Sequence, residues 1–185
     1  MQNSPDFSQL NFLRLSENYS IKPFDCGDAD LNDFLLNNSK DFLKALLAVT
    51  YLIENIEINN TIAFFSLLND RIALKDTNNN KWNKIRGKLP KKKKLSSYPA
   101  LKAGRLGVGI DYKGLGYGTA ILDYLKVQLI TNNKSGCRFL TVNAHGDSLK
   151  FYEKNGFQYL TDQDVNRMTR QMYFDLQEVL GNPGF

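Results

Sequence analysis

The sequence is poor in the residues from which metal centres, redox sites and disulfide scaffolds are built. It has one histidine, His145, and two cysteines, Cys26 and Cys137, far apart along 185 residues. This excludes a disulfide framework and any zinc-type ligand spacing, and it leaves both cysteines as packing residues and no metal site to expect. No apolar run approaches the roughly 20 residues needed to cross a bilayer, so no membrane partner is expected. The N-terminus, Met1-Gln-Asn-Ser-Pro-Asp-Phe7, lacks the basic start and apolar core of a secretory leader, and the expected location is cytoplasmic. Internal repeats, low-complexity segments and interdomain linkers are absent as well. Residues 1–185 are therefore expected to form one domain, long enough to bury a core unaided.

What the chain does have is positive charge, glycine at telling places, and clear periodicity. The net charge is +5, and much of the excess sits in Lys81-Trp-Asn-Lys-Ile-Arg-Gly-Lys-Leu-Pro-Lys-Lys-Lys-Lys94. Such a block reads as a solvated loop, and equally as an edge facing nucleic acid. Leu10 to Leu15 read as a first strand. Asp28 caps an expected helix carrying Leu31, Phe34, Leu35, Phe42, Leu43 and Leu46 at helical spacing, with a break near Asn37-Asn38. Residues 49–53 and 61–68, rich in β-branched and aromatic side chains, read as a hairpin. Arg71 to Lys75 read as a separate short strand, followed by a long irregular segment through the basic block. Residues 98–108, 138–144, 157–160 and 169–176 complete the expected strands, with helices near 119–130 and 147–155. A strand, helix, strand order of this kind predicts a parallel crossover unit within the sheet.

The centre of the sequence is the stretch from Arg105 to Lys126. It opens as a short apolar strand, passes three alternate glycines at Gly114, Gly116 and Gly118, and continues with Ile121, Leu125 and Leu129 at helical spacing. Glycines permit positive φ and close backbone approach to a ligand. The first amides of the following helix lack intrahelical partners and sit at the positive end of its dipole. The arrangement is suited to a phosphate or pyrophosphate.

Arg105-Leu-Gly-Val108, Lys113-Gly-Leu-Gly-Tyr-Gly118 and Phe151-Tyr-Glu-Lys-Asn-Gly-Phe157, at their mutual distances, resemble the GNAT superfamily of acyl-CoA-dependent N-acyltransferases over nearly the whole chain. The resemblance implies an α/β (α+β) fold with a mixed, central twisted sheet of six to seven strands flanked by helices. It implies acetyl-CoA as acyl donor, bound by Leu106, Gly107 and Val108 along the pantetheine arm. Lys113, Gly114, Leu115, Gly116, Tyr117, Gly118 and Thr119 would bind the pyrophosphate. Lys113 stands where the family pattern has Gln or Arg, and His145 where many relatives have a cofactor-contacting asparagine. By position alone His145, at a strand-to-helix turn, reads as a loop or cofactor-edge residue.

Tyr152 matches a tyrosine that protonates the leaving thiolate; from spacing alone, beside Phe151 and near Phe157, it reads as a core aromatic. The chemistry needs a free amine lone pair, donors for a tetrahedral oxyanion and a proton for the departing sulfur. Asp111 and Glu153 are the nearest candidates to take the amine proton, and Arg105 is either a surface charge or a clamp for an anionic acceptor. A narrower resemblance links Phe24-Asp-Cys-Gly27, Leu31-Asn-Asp-Phe-Leu35 and Tyr98-Pro99 to the GNAT toxins of toxin–antitoxin pairs. This implies aminoacyl-tRNA as the acceptor, with Trp82 either stacking on a base or half-packed in a loop, and an antitoxin protein as partner. Family members also pair through sheet edges, which implies a homodimer. Two other functions stay open: a small-amine or protein N-acetyltransferase of metabolism, and a non-catalytic RNA- or protein-binding module.

Overall fold

The computed structural model describes residues 10–89, 95–131 and 136–181. Its seven strands are β1 (Leu10–Arg14), β2 (Val49–Asn55), β3 (Asn60–Ala73), β4 (Ser97–Val108), β5 (Phe139–His145), β6 (Gln158–Tyr159) and β7 (Thr169–Asp175). They form one mixed sheet in the order β1-β2-β3-β4-β5-β7-β6. The β4–β5 pair is parallel over Ala100–Lys102, while β1–β2, β2–β3, β5–β7 and β6–β7 are antiparallel. The mixed α/β class and a sheet at the upper end of the expected strand number are therefore borne out. The helices are α1 (Ala29–Asp33), α2 (Ser39–Lys44), α3 (Asn79–Gly87), α4 (Tyr117–Thr131), α5 (Leu149–Lys154) and α6 (Gln177–Leu180). Among the described residues no helix is long and apolar enough to cross a membrane.

The chain divides into two compact units. The first contains the described residues up to Leu68 together with Ala103–Tyr124. Its core joins Leu15, Phe24, Cys26, Phe34, Leu35, Leu52 and Phe64. Asp28 caps α1 by accepting from the amides of Asp30 and Leu31 at 3.0 and 3.1 Å, as its sequence position predicts. The expected break near Asn37-Asn38 is a π-helical turn over Phe34–Asn38 that joins α1 to α2. The turn adds a residue to the helical repeat, buries Phe34 and Leu35 together, and is held by Asn38 Nδ2 donating to the Asp33 carboxylate at 2.6 Å. The β2–β3 hairpin turns at Asn59, whose φ is +55°, a conformation asparagine tolerates.

The second unit contains Asn69–Lys102 and the described residues from Leu125 onward. Ile72, Trp82, Ile85, Tyr98, Ala100, Phe139, Leu160 and Tyr173 form its core. Two expectations change here. Arg71 to Lys75 are not a separate strand: β3 runs unbroken to Ala73, and Leu74–Asp76 is a single 3-10 turn. The basic block is not irregular where it is described, because its first half is α3, capped by Asn78 accepting from the Lys81 amide at 2.8 Å. Trp82, Ile85 and Leu89 recur at helical spacing and turn into the core, where the Trp82 ring lies 5.4 Å from that of Tyr98. Lys81 pairs with Asp162 at 3.0 Å and Lys88 with Glu178 at 3.1 Å. The charge that suggests a loop is the outer face of a packed helix. The remainder, Pro90 to Lys94, lies outside the described residues.

Candidate active site

In the first unit, Leu106 to Val108 close β4. Gly107 is buried, and a Cβ there would lie 2.6 Å from the Phe64 ring, so this strand position admits no side chain. Beyond the strand the backbone is pinned twice. The Gly109 amide donates to the Ile62 carbonyl at 2.7 Å, and the Ile110 amide to the Asp25 carbonyl at 3.0 Å. A 3-10 turn over Ile110–Tyr112 leads to Gly114 and Gly116, whose φ values are +76° and +89°. A Cβ at Gly114 would meet nothing within 4 Å, so glycine serves the left-handed backbone there and not a lack of room. The Ala120 amide donates to the Gly116 carbonyl at 3.0 Å, the first turn of α4. Lys113 to Gly116 and Thr119 are exposed, while Tyr117 and Gly118 are half-buried. A short 3-10 turn, two left-handed glycines and a helix start follow in eight residues, open to solvent.

The support beneath this turn is a feature that sequence reasoning attached to the acceptor. Gly27, with φ +72°, has Ile110 and the Lys113 ammonium as nearest neighbours of the space where its Cβ would be. Asp25 Oδ1 accepts from the Gly27 amide and from Asn32 Nδ2, both at 2.7 Å. These hydrogen bonds, and to a lesser degree the Lys113 charge, hold the Asp25 carboxyl below the usual carboxylate range. The Phe24-Asp-Cys-Gly27 motif is thus a buttress of the glycine turn. Arg105 is half-buried against aromatic rings. Its guanidinium stands 3.8 Å from the Phe34 ring centroid and 5.4 Å from that of Phe42, and burial lowers its pKa from the ordinary arginine value.

In the second unit, His145 ends β5 exposed, its carbonyl accepting from Ser148 Oγ at 3.1 Å. A 3-10 turn over Gly146–Ser148 leads into α5, which carries Tyr152. The end of α5 explains the Tyr-Glu-Lys-Asn-Gly-Phe pattern. The Gly156 amide donates to the Glu153 carbonyl and the Phe157 amide to the Tyr152 carbonyl, both at 3.0 Å, with Gly156 at φ +81°. This pairing is a Schellman turn. The hydrophobic contact that accompanies such a turn is the Tyr152–Phe157 ring pair, 5.3 Å apart at 70°. The Phe151 ring lies 5.1 Å from that of Tyr152. The Tyr152 hydroxyl meets no hydrogen-bond partner among the described residues. Burial alone pushes its pKa up to about 12, so the phenol stays protonated at neutral pH. Glu153 is exposed and hydrogen-bonded to Tyr159.

Two cavities of about 150 and 280 Å³ also open in the second unit, and both are lined by Lys75, Asp76, Asn143 and Gln171. Asn143 and Gln171 are register partners on β5 and β7. No group of acidic residues, histidines or cysteines among the described residues could hold a metal ion.

Residues 82–159 match the family model described as an acetyltransferase (GNAT) domain. No curated protein matches the sequence. A crystal structure of a bacterial toxin is similar to the chain with a TM-score of 0.76 and 15% identity, covering 93% of each chain. A tyrosine-to-phenylalanine mutant of KacT is similar with a TM-score of 0.74 and 20% identity, over 94% of this chain and 99% of that one. AtaT complexed with acetyl-methionyl-tRNAfMet is similar with a TM-score of 0.71 and 19% identity, again over 94% and 99%. At these identities the likeness is one of fold.

Proposed function

We propose that this chain, which matches the model of a GNAT acetyltransferase domain over residues 82–159, moves an acetyl group from acetyl-CoA to the α-amine of an aminoacyl-tRNA. The observation that carries the reading is Tyr152: a phenol fixed by a helix-ending turn, held protonated by burial and with no hydrogen-bond partner for its hydroxyl among the described residues. Acetyl-CoA supplies an activated thioester, and the residues present suit it. Gly114 and Gly116 let the backbone come close to a pyrophosphate, Lys113 adds positive charge, and the first amides of α4 need acceptors. Leu106 to Val108 lie past the last residue of β4 paired with β5, so main-chain donors and acceptors there are suited to the pantetheine arm and the thioester carbonyl.

Tyr152 donates a hydrogen bond to the sulfur as negative charge develops on it, and passes the proton as the C–S bond breaks. The attacking amine must arrive neutral, and Asp111 or Glu153 takes its proton through water. Positioning supplies much of the rate, since well-oriented reactants contribute roughly 7–11 kcal/mol. His145, exposed at the end of β5, is assigned to the edge of the cofactor site.

The tRNA acceptor is supported by likeness to AtaT, whose structure holds acetyl-methionyl-tRNAfMet, and by Lys84 and Arg86 in the last turn of α3. These cations also complement the helix dipole, a purely structural use. Trp82 is buried against Tyr98 and presents no free face on which a base could stack. AtaT has also been solved with the C-terminus of the antitoxin AtaR, so an antitoxin partner belongs to the same reading. Incubation with labelled acetyl-CoA and a mixture of charged tRNA, polyamines and peptides tests it. Label in the tRNA is the expected result. Label only in small amines assigns a metabolic enzyme, and no label at all leaves a binding module.

A further inference from the structure

We propose that Lys126 is a positioning residue for Tyr152. The inference rests on the role proposed for Tyr152, but the arrangement behind it is independent of that role. Lys126 lies in α4 with 2% of its surface exposed, an uncommon place for a lysine because an ammonium loses its hydration there. Its Nζ donates to the Asn155 carbonyl at 3.0 Å and stands 4.7 Å from the centroid of the Phe174 ring. Both contacts lead to Tyr152.

Asn155 is the C-cap of α5, and its own Nδ2 donates back to the Phe151 carbonyl at 2.8 Å. The carbonyl gripped by Lys126 therefore lies inside the Schellman turn that fixes Tyr152. Phe174 packs on Phe157 at 5.8 Å, and Phe157 on Tyr152 at 5.3 Å. One ammonium thus holds the peptide that ends the helix and the first ring of a three-ring stack whose last member is the phenol. A cation beside the last carbonyls of a helix also complements its negative end. A side chain needed only to fill space between α4 and β7 would be served by methionine or leucine at no desolvation cost. To such packing the ammonium adds a hydrogen bond that restrains the backbone at Asn155.

The test compares Lys126→Met, Lys126→Arg, Tyr152→Phe and the Lys126→Met/Tyr152→Phe double variant in the full chain. Lys126→Met is expected to lower kcat by about tenfold to a hundredfold, the size of effect a small misplacement of a catalytic group produces. Its KM for acetyl-CoA is expected to stay within about twofold of wild type, and Lys126→Arg to keep most of the activity. The double variant is expected to lose no more than Tyr152→Phe alone, because the two residues act as a unit. Unchanged kcat in a folded Lys126→Met protein, or losses that multiply in the double variant, would overturn the inference.

A second readout does not depend on activity. Tyrosine absorbance titrated in each lysine background, with the matching Tyr152→Phe protein subtracted, isolates the ionisation of residue 152. In Lys126→Met it should move down from about 12 toward 10 as the ring loosens, and an unmoved titration overturns the inference even if Tyr152 proves non-catalytic. Conversely, full turnover in Tyr152→Phe with a moved titration removes the proposed mechanism and leaves the positioning role standing. If Lys126→Met does not fold, Lys126→Gln, which keeps an N–H donor without the charge, carries the same two measurements.

Discussion

Two turns of this molecule use left-handed glycines for opposite ends. At Gly114 the backbone has φ +76° and a Cβ would meet nothing within 4 Å; at Gly156 it has φ +81° and a Cβ would lie 3.0 Å from the Phe174 ring. The first turn is exposed to solvent. The second is closed by two 3.0 Å amide bonds and by an aromatic stack, and what it presents is one side chain, Tyr152. Under the proposed function, glycine in the first is a condition for binding, and in the second a condition for holding a side chain still. The same residue type, read by its surroundings, separates a ligand cradle from a mount.

Substitutions at each turn separate the two roles, and the largest effect is expected at the mount. Tyr152→Phe keeps the ring stack and removes only the hydroxyl. Turnover should fall by about 10²–10⁴-fold, the usual contribution of a positioned proton donor, while acetyl-CoA binding measured by calorimetry stays within about twofold. An unchanged rate would return Tyr152 to the core. At the cradle, Gly116→Glu puts a side chain and a negative charge on a residue with φ +89°. Acetyl-CoA affinity should fall by at least about tenfold, given the strain of left-handed backbone and repulsion from a pyrophosphate. Equal affinities would remove the turn from the cofactor site.

Two alanine substitutions sharpen the contrast through stability. Gly156→Ala should cost about 2–5 kcal/mol, the sum of left-handed strain and overpacking against Phe174. Gly114→Ala should cost only about 1–2 kcal/mol, because strain is the sole term there. Urea denaturation of both variants measures the gap, and equal costs would erase the distinction between the two turns.

The smallest effect concerns pH. Tyr152 ionises near 12 when folded and near 10 when unfolded, so the folded state holds its proton more tightly. The stability from this difference is complete below pH 10 and is lost as pH rises toward 12. Between pH 9.5 and 11.5 the wild-type chain should therefore lose on the order of 1 kcal/mol more than Tyr152→Phe. Denaturation at the two pH values checks it, and a parallel loss would place the phenol in solvent.

Local patterns carried much of the fold. The Asp28 cap, the helical break near Asn38, the β2–β3 hairpin and the parallel β4–β5 pair all follow from residue types at short spacing. The failures share one cause. Lysines at 81, 84 and 88 mask the helical spacing of Trp82, Ile85 and Leu89, whose burial depends on Tyr98 and Phe139 from other elements. The strand break expected near Arg71 did not occur because β3 continues along the sheet through residues too polar to read as strand by themselves. Tyr152 and Phe157 were legible as a pair, but the reason for their spacing, a Schellman turn, shows only in backbone angles.

By itself the sequence determined which backbone conformations were available: glycines at 114, 116 and 156 permit what other residues resist, Asp28 and Asn78 start helices, and the apolar periods assign faces. These are short-range effects, carried by sterics and hydrogen bonds within a few residues. Tertiary structure alone decided what those local shapes are for. It set Asp25 and Gly27 under the glycine turn, laid Arg105 across Phe34, and brought Lys126 to the carbonyl of Asn155. Burial, desolvation and the choice of partner are properties of distant segments meeting, and no period of 2 or 3.6 residues encodes them.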